Sequence, residues 1–319
     1  MHLHVSYSSD ENYAGFMRCS ICSLLDNNKS VENITFHLLS NGISDDSKTL
    51  IDELITSYGR TVVFYEFSDI RKRLGDLKVE SIALSAYSRL FLPEVLDKNI
   101  EQIIYLDCDS IVTGLLSELW EMQFDNCSVI GVEDVIPKSF KSKVGMTEKH
   151  KYINSGMIKL NLIKIRNSDY SSQVTHLIET HMGEFPHHDQ GIINFIFKDS
   201  IKIIKPKYNV MTPFLLMNAR ELKELYQLQN YYSEEDIDDA RSNPVFIHFT
   251  QSLITRPWVV NSTHPFKDKF EFYYERSVGE LKPNIDSRSF NNKLVSTLFK
   301  LFPFKLFLTV VKLIRLKNG

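Results

Sequence analysis

Net charge is nearly absent from this chain. Its 37 Lys and Arg against 40 Asp and Glu leave 319 residues at −3 at pH 7. Nothing therefore draws the whole molecule toward nucleic acid, and any polyanion has to be held locally. Cysteine is also sparse: Cys19, Cys22, Cys108 and Cys127 are too few for a disulfide framework at this length. Cys19 and Cys22 form a C-x-x-C without a second cysteine pair, inside an apolar helical stretch, which favours core packing over zinc or redox chemistry. No run of about 18 apolar residues occurs, so a membrane-spanning helix is not expected. Met1–Val5 leads straight into polar Ser8–Asn12 without the apolar stretch of a secretory signal, and a cytoplasmic location is expected. Internal repeats and long low-complexity tracts are missing as well.

What is present is ordinary globular composition, 43% hydrophobic and 24% charged, with strands and helices in alternation. Leu3–Tyr7 reads as a strand, Ser8–Asn12 as the loop leaving it, and Tyr13–Leu25 as a helix with Met17, Ile21, Leu24 and Leu25 at helical spacing. Ile34–Leu39 is a second strand. Ser44 caps a helix running to about Tyr58, with Asp45 and Asp46 in its first turn and Gly59 at its end. Thr61–Phe67 is a third strand; Glu80–Leu92 reads as a helix stopped near Pro93. Val129–Val132, Ile153–Leu160 and Val245–Phe249 are later strands, and His187–Gly191 opens a helix. Such alternation predicts an α/β fold with a parallel sheet and a nucleotide as its usual guest.

The chain is organised around Ile103–Val112, IIYLDCDSIV. Ile103–Leu106 form a short apolar run, as expected of a strand buried on both faces. It ends in Asp107-Cys108-Asp109. In extended backbone the two carboxylates point to one side, where their repulsion calls for a cation. Carboxylate oxygens suit Mg²⁺ or Mn²⁺, which in turn hold phosphates. Taken alone, the same two residues also fit a turn that caps the next segment. Arg89 equally suits a solvated helix face, and His248 a satisfied, partly buried strand position. His187 and His188 have no metal-ligand spacing with another His or Cys, and no role is read for them.

The order of these pieces resembles the retaining glycosyltransferases of family 8, which include bacterial lipopolysaccharide galactosyl- and glucosyltransferases and glycogenin-like enzymes. Ser8-Ser9-Asp10-Glu11-Asn12-Tyr13 looks like the family's first nucleotide loop and Ala86-Tyr87-Ser88-Arg89-Leu90 like its arginine helix. Tyr105–Asp109 looks like its metal motif and Tyr152–Asn161 like its Asn-(Ser/Ala)-Gly strand. His188-Asp189-Gln190-Gly191 matches its Asp-Gln element, and His248 with Arg256-Pro257-Trp258 its closing His…Lys-Pro-Trp. The resemblance spans roughly residues 1–265. It implies a GT-A type, Rossmann-like fold, a mostly parallel sheet flanked by helices with a C-terminal helical tail, and Asp107, Asp109 and His248 holding Mn²⁺, or alternatively Mg²⁺, against the phosphates of a UDP-sugar. Ser8, Asp10 and Asn12 would face uracil and ribose. Arg89 would reach the donor sugar or phosphate, Asn154 the sugar, and Asp189 with Gln190 the sugar hydroxyls and anomeric carbon. The final loop departs from the pattern: Gln251–Thr255 intervenes where the family has a glycine, and Arg256 stands for its lysine, keeping the charge on a planar fork.

Residues 291–319 contain Lys293, Lys300, Lys305, Lys312, Arg315 and Lys317, no acidic residue, and a wide apolar face divided by Pro303. An anionic membrane surface suits such a segment; a helix docked on the main domain, or packed in a dimer, is the alternative. The expected organisation is a glycosyltransferase domain over 1–270 and an amphipathic tail over 271–319. The expected activity is transfer of glucose or galactose from a UDP-sugar to a saccharide acceptor, lipid-linked, in bacterial surface-glycan synthesis at the inner face of the cytoplasmic membrane. A catalytically silent sugar-nucleotide-binding protein, or a transferase using another nucleotide-sugar, is the alternative.

Overall fold

The computed structural model describes residues 1–66 and 87–317. Its strands are β1 (His2–Ser9), β2 (Asn33–Ser40), β3 (Thr61–Glu66), β4 (Gln102–Leu106), β5 (Ser110–Val112), β6 (Val129–Glu133), β7 (Ile153–Asn161), β8 (Ile201–Ile203), β9 (Val210–Met211) and β10 (Phe246–His248). Seven of them form one sheet in the order β3-β2-β1-β4-β7-β6-β8. β1 runs parallel to β2 and β4, whereas β7 runs antiparallel to both β4 and β6. The carboxyl ends of β1, β4 and β6 therefore share an edge with the amino end of β7. Ligands gather at that edge in open α/β sheets.

Successive residues of β4 alternate faces. Ile104 and Leu106 enter one apolar core, Ile103 and Tyr105 the other, which is why the strand reads as an unbroken apolar run. The helix α1 (Glu11–Asn27) is capped by Asp10, whose carboxylate accepts from the Tyr13 N–H at 3.1 Å. The next, α2 (Asp45–Ser57), is capped by Ser44, with Gly59 at φ +67° in the turn that ends it. Cys19 and Cys22 lie buried in α1 as core residues.

Three expectations need correction. Asn12 lies in the first turn of α1, not in a loop, because Asp10 starts the helix two residues earlier. The backbone does not stay extended through Asp107-Cys108-Asp109: the chain bends at Cys108–Asp109 and β5 joins a second sheet, β5-β10-β9. The sheet is mostly parallel, as the family resemblance implies, and β7 is the strand that pairs with β4 in the opposite sense. Finally, Pro93 does not stop a helix. It occupies the first turn of a short one, Leu92–Val95, where its missing N–H costs no bond. Arg89 sits just before, in a single 3₁₀ turn. Phe67 and residues 80–86 of the expected strand and helix lie outside the described residues.

Further along come α3 (His188–Phe197), α4 (Lys267–Ser277), α5 (Phe290–Leu301) and α6 (Phe304–Lys317), the last two separated at Pro303. The boundary expected at residue 270 falls inside α4, which packs against α1. Phe307, Leu308 and Val311 of α6 are buried in the same core as β1 and α1. One face of the tail is thus a docked helix face, while Leu301, Phe302, Leu306 and Leu313 stay exposed. No helix among the described residues is long and apolar enough to cross a membrane.

Candidate active site

Beyond β4, Asp107 is anchored by its backbone: its N–H donates to the Gly156 carbonyl at 2.8 Å. Asp109 is anchored likewise, its carbonyl accepting from Phe249 at 2.9 Å. The pairing of β10 with β5 sets His248 opposite Ser110. His248 Nε2 lies 3.1 Å from Asp109 Oδ1 and 3.6 Å from Asp107 Oδ2. One ligand atom from each of Asp107, Asp109 and His248 falls within 4.8 Å of the others. Two carboxylate oxygens and an imidazole nitrogen make a donor set for Mn²⁺ or Mg²⁺. Here sequence separation of 139 residues closes to a hydrogen-bond distance.

Gly156 makes room for this. A Cβ there would stand 2.1 Å from His248 Cε1 and 2.9 Å from Asp107 Oδ2. His248 Nδ1 meets Asn154 Oδ1 at 3.1 Å, which leaves Nε2 turned toward the aspartates. Burial alone would push His248 toward neutrality, but Asp109 and Asp107 outweigh it and hold its pKa above the ordinary value. Burial likewise opposes ionisation of Asp109, yet His248 and Arg256 keep its carboxyl well below the usual range. Arg256 Nη2 is 2.9 Å from Asp109 Oδ2 and its guanidinium stacks 5.5 Å from the Trp258 ring.

A second cluster adjoins the first. Arg89 bridges Asp107 at 2.7 Å and Asp189 at 3.0 Å and lies 4.2 Å over the Tyr105 ring. Buried between two carboxylates, its guanidinium is held charged, the carboxylates outweighing the desolvation that opposes it. Burial pushes the Asp189 carboxyl up to about 6, against the pull of Arg89. Asp189 and Gln190 occupy the first turn of α3, reached through His187 and His188 at φ +58° and +54°. Left-handed backbone at two non-glycine residues costs about 1–2 kcal/mol each and is characteristic of functional sites. Gly191 is required behind them, since a Cβ would fall 1.9 Å from the Pro186 carbonyl oxygen.

The two clusters flank a cavity of about 800 Å³. Arg89, Asp107, Asn154, Asp189 and Gln190 line it, whereas Asp109, His248 and Arg256 stand at one end of it through their contacts with Asp107 and one another. Ser8 is buried at the end of β1, its carbonyl accepting from Cys108 Sγ at 3.2 Å. Asp10 spends its carboxylate on the cap of α1, and Asn12 is exposed beside it.

Sequence reasoning missed Asp134. It follows β6 at the same sheet edge, and its Oδ2 accepts from Gln190 Nε2 at 2.9 Å and Asn154 Nδ2 at 3.2 Å. The available signal was an acidic residue directly beyond a strand's carboxyl end, the rule that singled out Asp107. Asn209, donating to Asn154 Oδ1 at 2.9 Å, and His187, whose Nδ1 meets the Tyr152 hydroxyl at 3.0 Å, had no such signal.

Comparison with known proteins agrees with this arrangement. General stress protein A of Bacillus subtilis is 27% identical over 85% of this chain and 92% of its own length. A lipopolysaccharide 1,2-glucosyltransferase of Escherichia coli is 28% identical over 86% of this chain and 78% of its own. The crystal structure of galactosyltransferase LgtC, in complex with donor and acceptor sugar analogues, superimposes with a TM-score of 0.71 at 22% identity, covering 86% of this chain and 96% of that one. Its fold is the GT-A fold, with the same mixed, mostly parallel sheet flanked by helices. The family model for glycosyl transferase family 8 matches residues 4–261, which include both clusters of the site, and the chain belongs to that family.

Proposed function

We propose that this glycosyltransferase moves a hexose, glucose or galactose, from a UDP-sugar to a saccharide acceptor with retention of anomeric configuration, in the synthesis of a bacterial surface glycan. The observation that carries the reading is the meeting of Asp107, Asp109 and His248 beside a cavity whose lining includes Arg89, Asp189 and Gln190. These three residues would hold the divalent cation, most simply Mn²⁺, which when bound neutralises charge on the diphosphate leaving group. Arg256 is placed to add a second positive charge there, and it can exchange Asp109 for phosphate because its fork suits both. Arg89 keeps Asp107 and Asp189 in fixed orientation. Asn154, Gln190 and Asp134 form one hydrogen-bonded set able to read sugar hydroxyls. Asp189 is the carboxylate assigned to stabilise positive charge at the anomeric carbon, and at pH 7 it is ionised in spite of its burial. Ser8, Asp10 and Asn12, at the end of β1 and the start of α1, are assigned to the uridine.

A lipid-linked acceptor at the cytoplasmic face of the membrane fits the tail. Leu301, Phe302, Leu306 and Leu313 are exposed among Lys300, Lys305 and Lys312, a combination suited to an anionic surface. The test is release of UDP from UDP-glucose and UDP-galactose with and without Mn²⁺. Turnover that needs the metal and is lost in Asp109→Asn supports the reading. Binding of UDP with Mn²⁺ but no cleavage of either donor would make the protein a silent sugar-nucleotide binder or the user of another donor.

A further inference from the structure

The loop after His248 is where this chain leaves its family's pattern, and the fold shows what stands behind it. Ser296 Oγ of α5 donates to the Leu253 carbonyl. Arg288 Nη1 reaches the Ser252 carbonyl at 3.5 Å and is itself fixed by Asp286, Nε to Oδ1 at 3.0 Å. The chain's C-terminal part thus holds Gln251–Leu253 against the cavity.

On α5, Asn292, Val295 and Ser296 are spaced three and four residues apart and share one face. Ser296 grips the loop, while Asn292 and Val295 line the cavity together with Gln251 and Leu253. The outward face carries Phe290, Leu294 and Leu301, all exposed. The inward lining is chemically mixed. Two carboxamides, each both donor and acceptor, stand with the apolar side chains of Leu253 and Val295. A sugar ring presents that same combination, with hydroxyls at its rim and C–H groups on its faces. The donor side of the cavity is already occupied in the assignment above by Arg89, Asn154, Asp189 and Gln190.

We propose that α5 and the loop Gln251–Leu253 form the acceptor subsite, with Asn292 hydrogen-bonding an acceptor saccharide and Val295 packing on its C–H face. The inference rests on the transferase reading and deepens it. The helix that starts the tail would then serve both as a wall of the active site and as the element next to the proposed membrane-facing surface.

The test uses the full chain with Mn²⁺ and the better of UDP-glucose and UDP-galactose. Hydrolysis without acceptor is measured first, then stimulation of UDP release by free glucose, galactose, N-acetylglucosamine and lactose. The saccharide giving the largest stimulation is the probe. Asn292→Ala should lower the ratio of stimulated to unstimulated release at least five-fold, chiefly through KM for the probe. Val295→Trp, which fills the cavity, should lower it further, and Leu294→Ser on the outward face should leave it alone. Hydrolysis in the same preparations separates the two claims: its loss in the unmutated protein would strike the transferase reading. Intact hydrolysis with no stimulation by any saccharide, or an unchanged ratio in both cavity variants, would overturn the acceptor subsite.

Discussion

Adding one methyl group at residue 156 should dismantle the proposed cation site. In Gly156→Ala the new Cβ would lie 2.1 Å from Cε1 and 2.4 Å from Nδ1 of His248, and 2.9 Å from Asp107 Oδ2. Carbon atoms in ordinary contact are about 3.5–4.0 Å apart, so the imidazole has to retreat by more than about 1 Å. Metal–ligand distances tolerate only about 0.2 Å, so His248 ceases to be a ligand, and its bond to Asn154 goes with it. Loss of the group that merely orients a ligand already weakens metal binding by about 10–100-fold, which is a lower bound here. With Mn²⁺ at 100 times its Kd the unmutated protein gains about 2.7 kcal/mol. At about 2.1 cal/mol/K of unfolding entropy per residue, that raises Tm by about 4 °C for 319 residues. At the same Mn²⁺ concentration a 100-fold weaker variant gains about 0.4 kcal/mol, under about 1 °C. Overpacking lowers the metal-free Tm by itself, so the readout is the difference between melts with and without Mn²⁺. A variant that keeps the full Mn²⁺-dependent rise would refute the assignment of His248 to the cation.

Other expectations are independent of that one. Arg256→Ala should cut turnover about 100-fold while changing UDP affinity far less, because its charge matters most as the leaving group forms; equal losses in steady-state kinetics and UDP titration would contradict this. Burial, with His4 beside it, pulls the pKa of His37 from 6.5 to about 4, so the unfolded chain binds a proton first. The resulting stability is present above pH 6.5 and is lost as pH falls toward 4, at most about 3 kcal/mol for this residue; urea unfolding at pH 7 and pH 5 should show a smaller drop in His37→Gln. Replacing exposed Leu306 and Leu313 by Glu should release the protein from phosphatidylserine vesicles in a flotation assay, with donor hydrolysis unchanged. Persistent flotation would remove these residues from the membrane surface.

Much of the site can be read along the chain because its pieces are local. Asp107 and Asp109 follow an apolar strand, Asp189-Gln190-Gly191 opens an amphipathic helix, and each signal fits within a few residues. Gly156 and Gly191 are written in the motifs, but their reason is the approach of His248 and of the Pro186 carbonyl, which no window of sequence contains. Asp134 escaped notice because an acidic residue beyond a strand is common, and only its bonds to Gln190 and Asn154 make it part of the site.

Periodicity, helix caps and the order of motifs were enough to determine an alternating α/β chain, the sheet edge that carries the candidate site and most of the residues gathered there, since these depend on side-chain spacing and backbone chemistry within short segments. Tertiary structure alone decided that β7 runs against its neighbours, that His248 reaches Asp109 across 139 residues, and that α6 buries Phe307, Leu308 and Val311 in the main core. Those outcomes depend on which distant surfaces find complementary partners, and an amphipathic sequence specifies an apolar face without naming what will cover it.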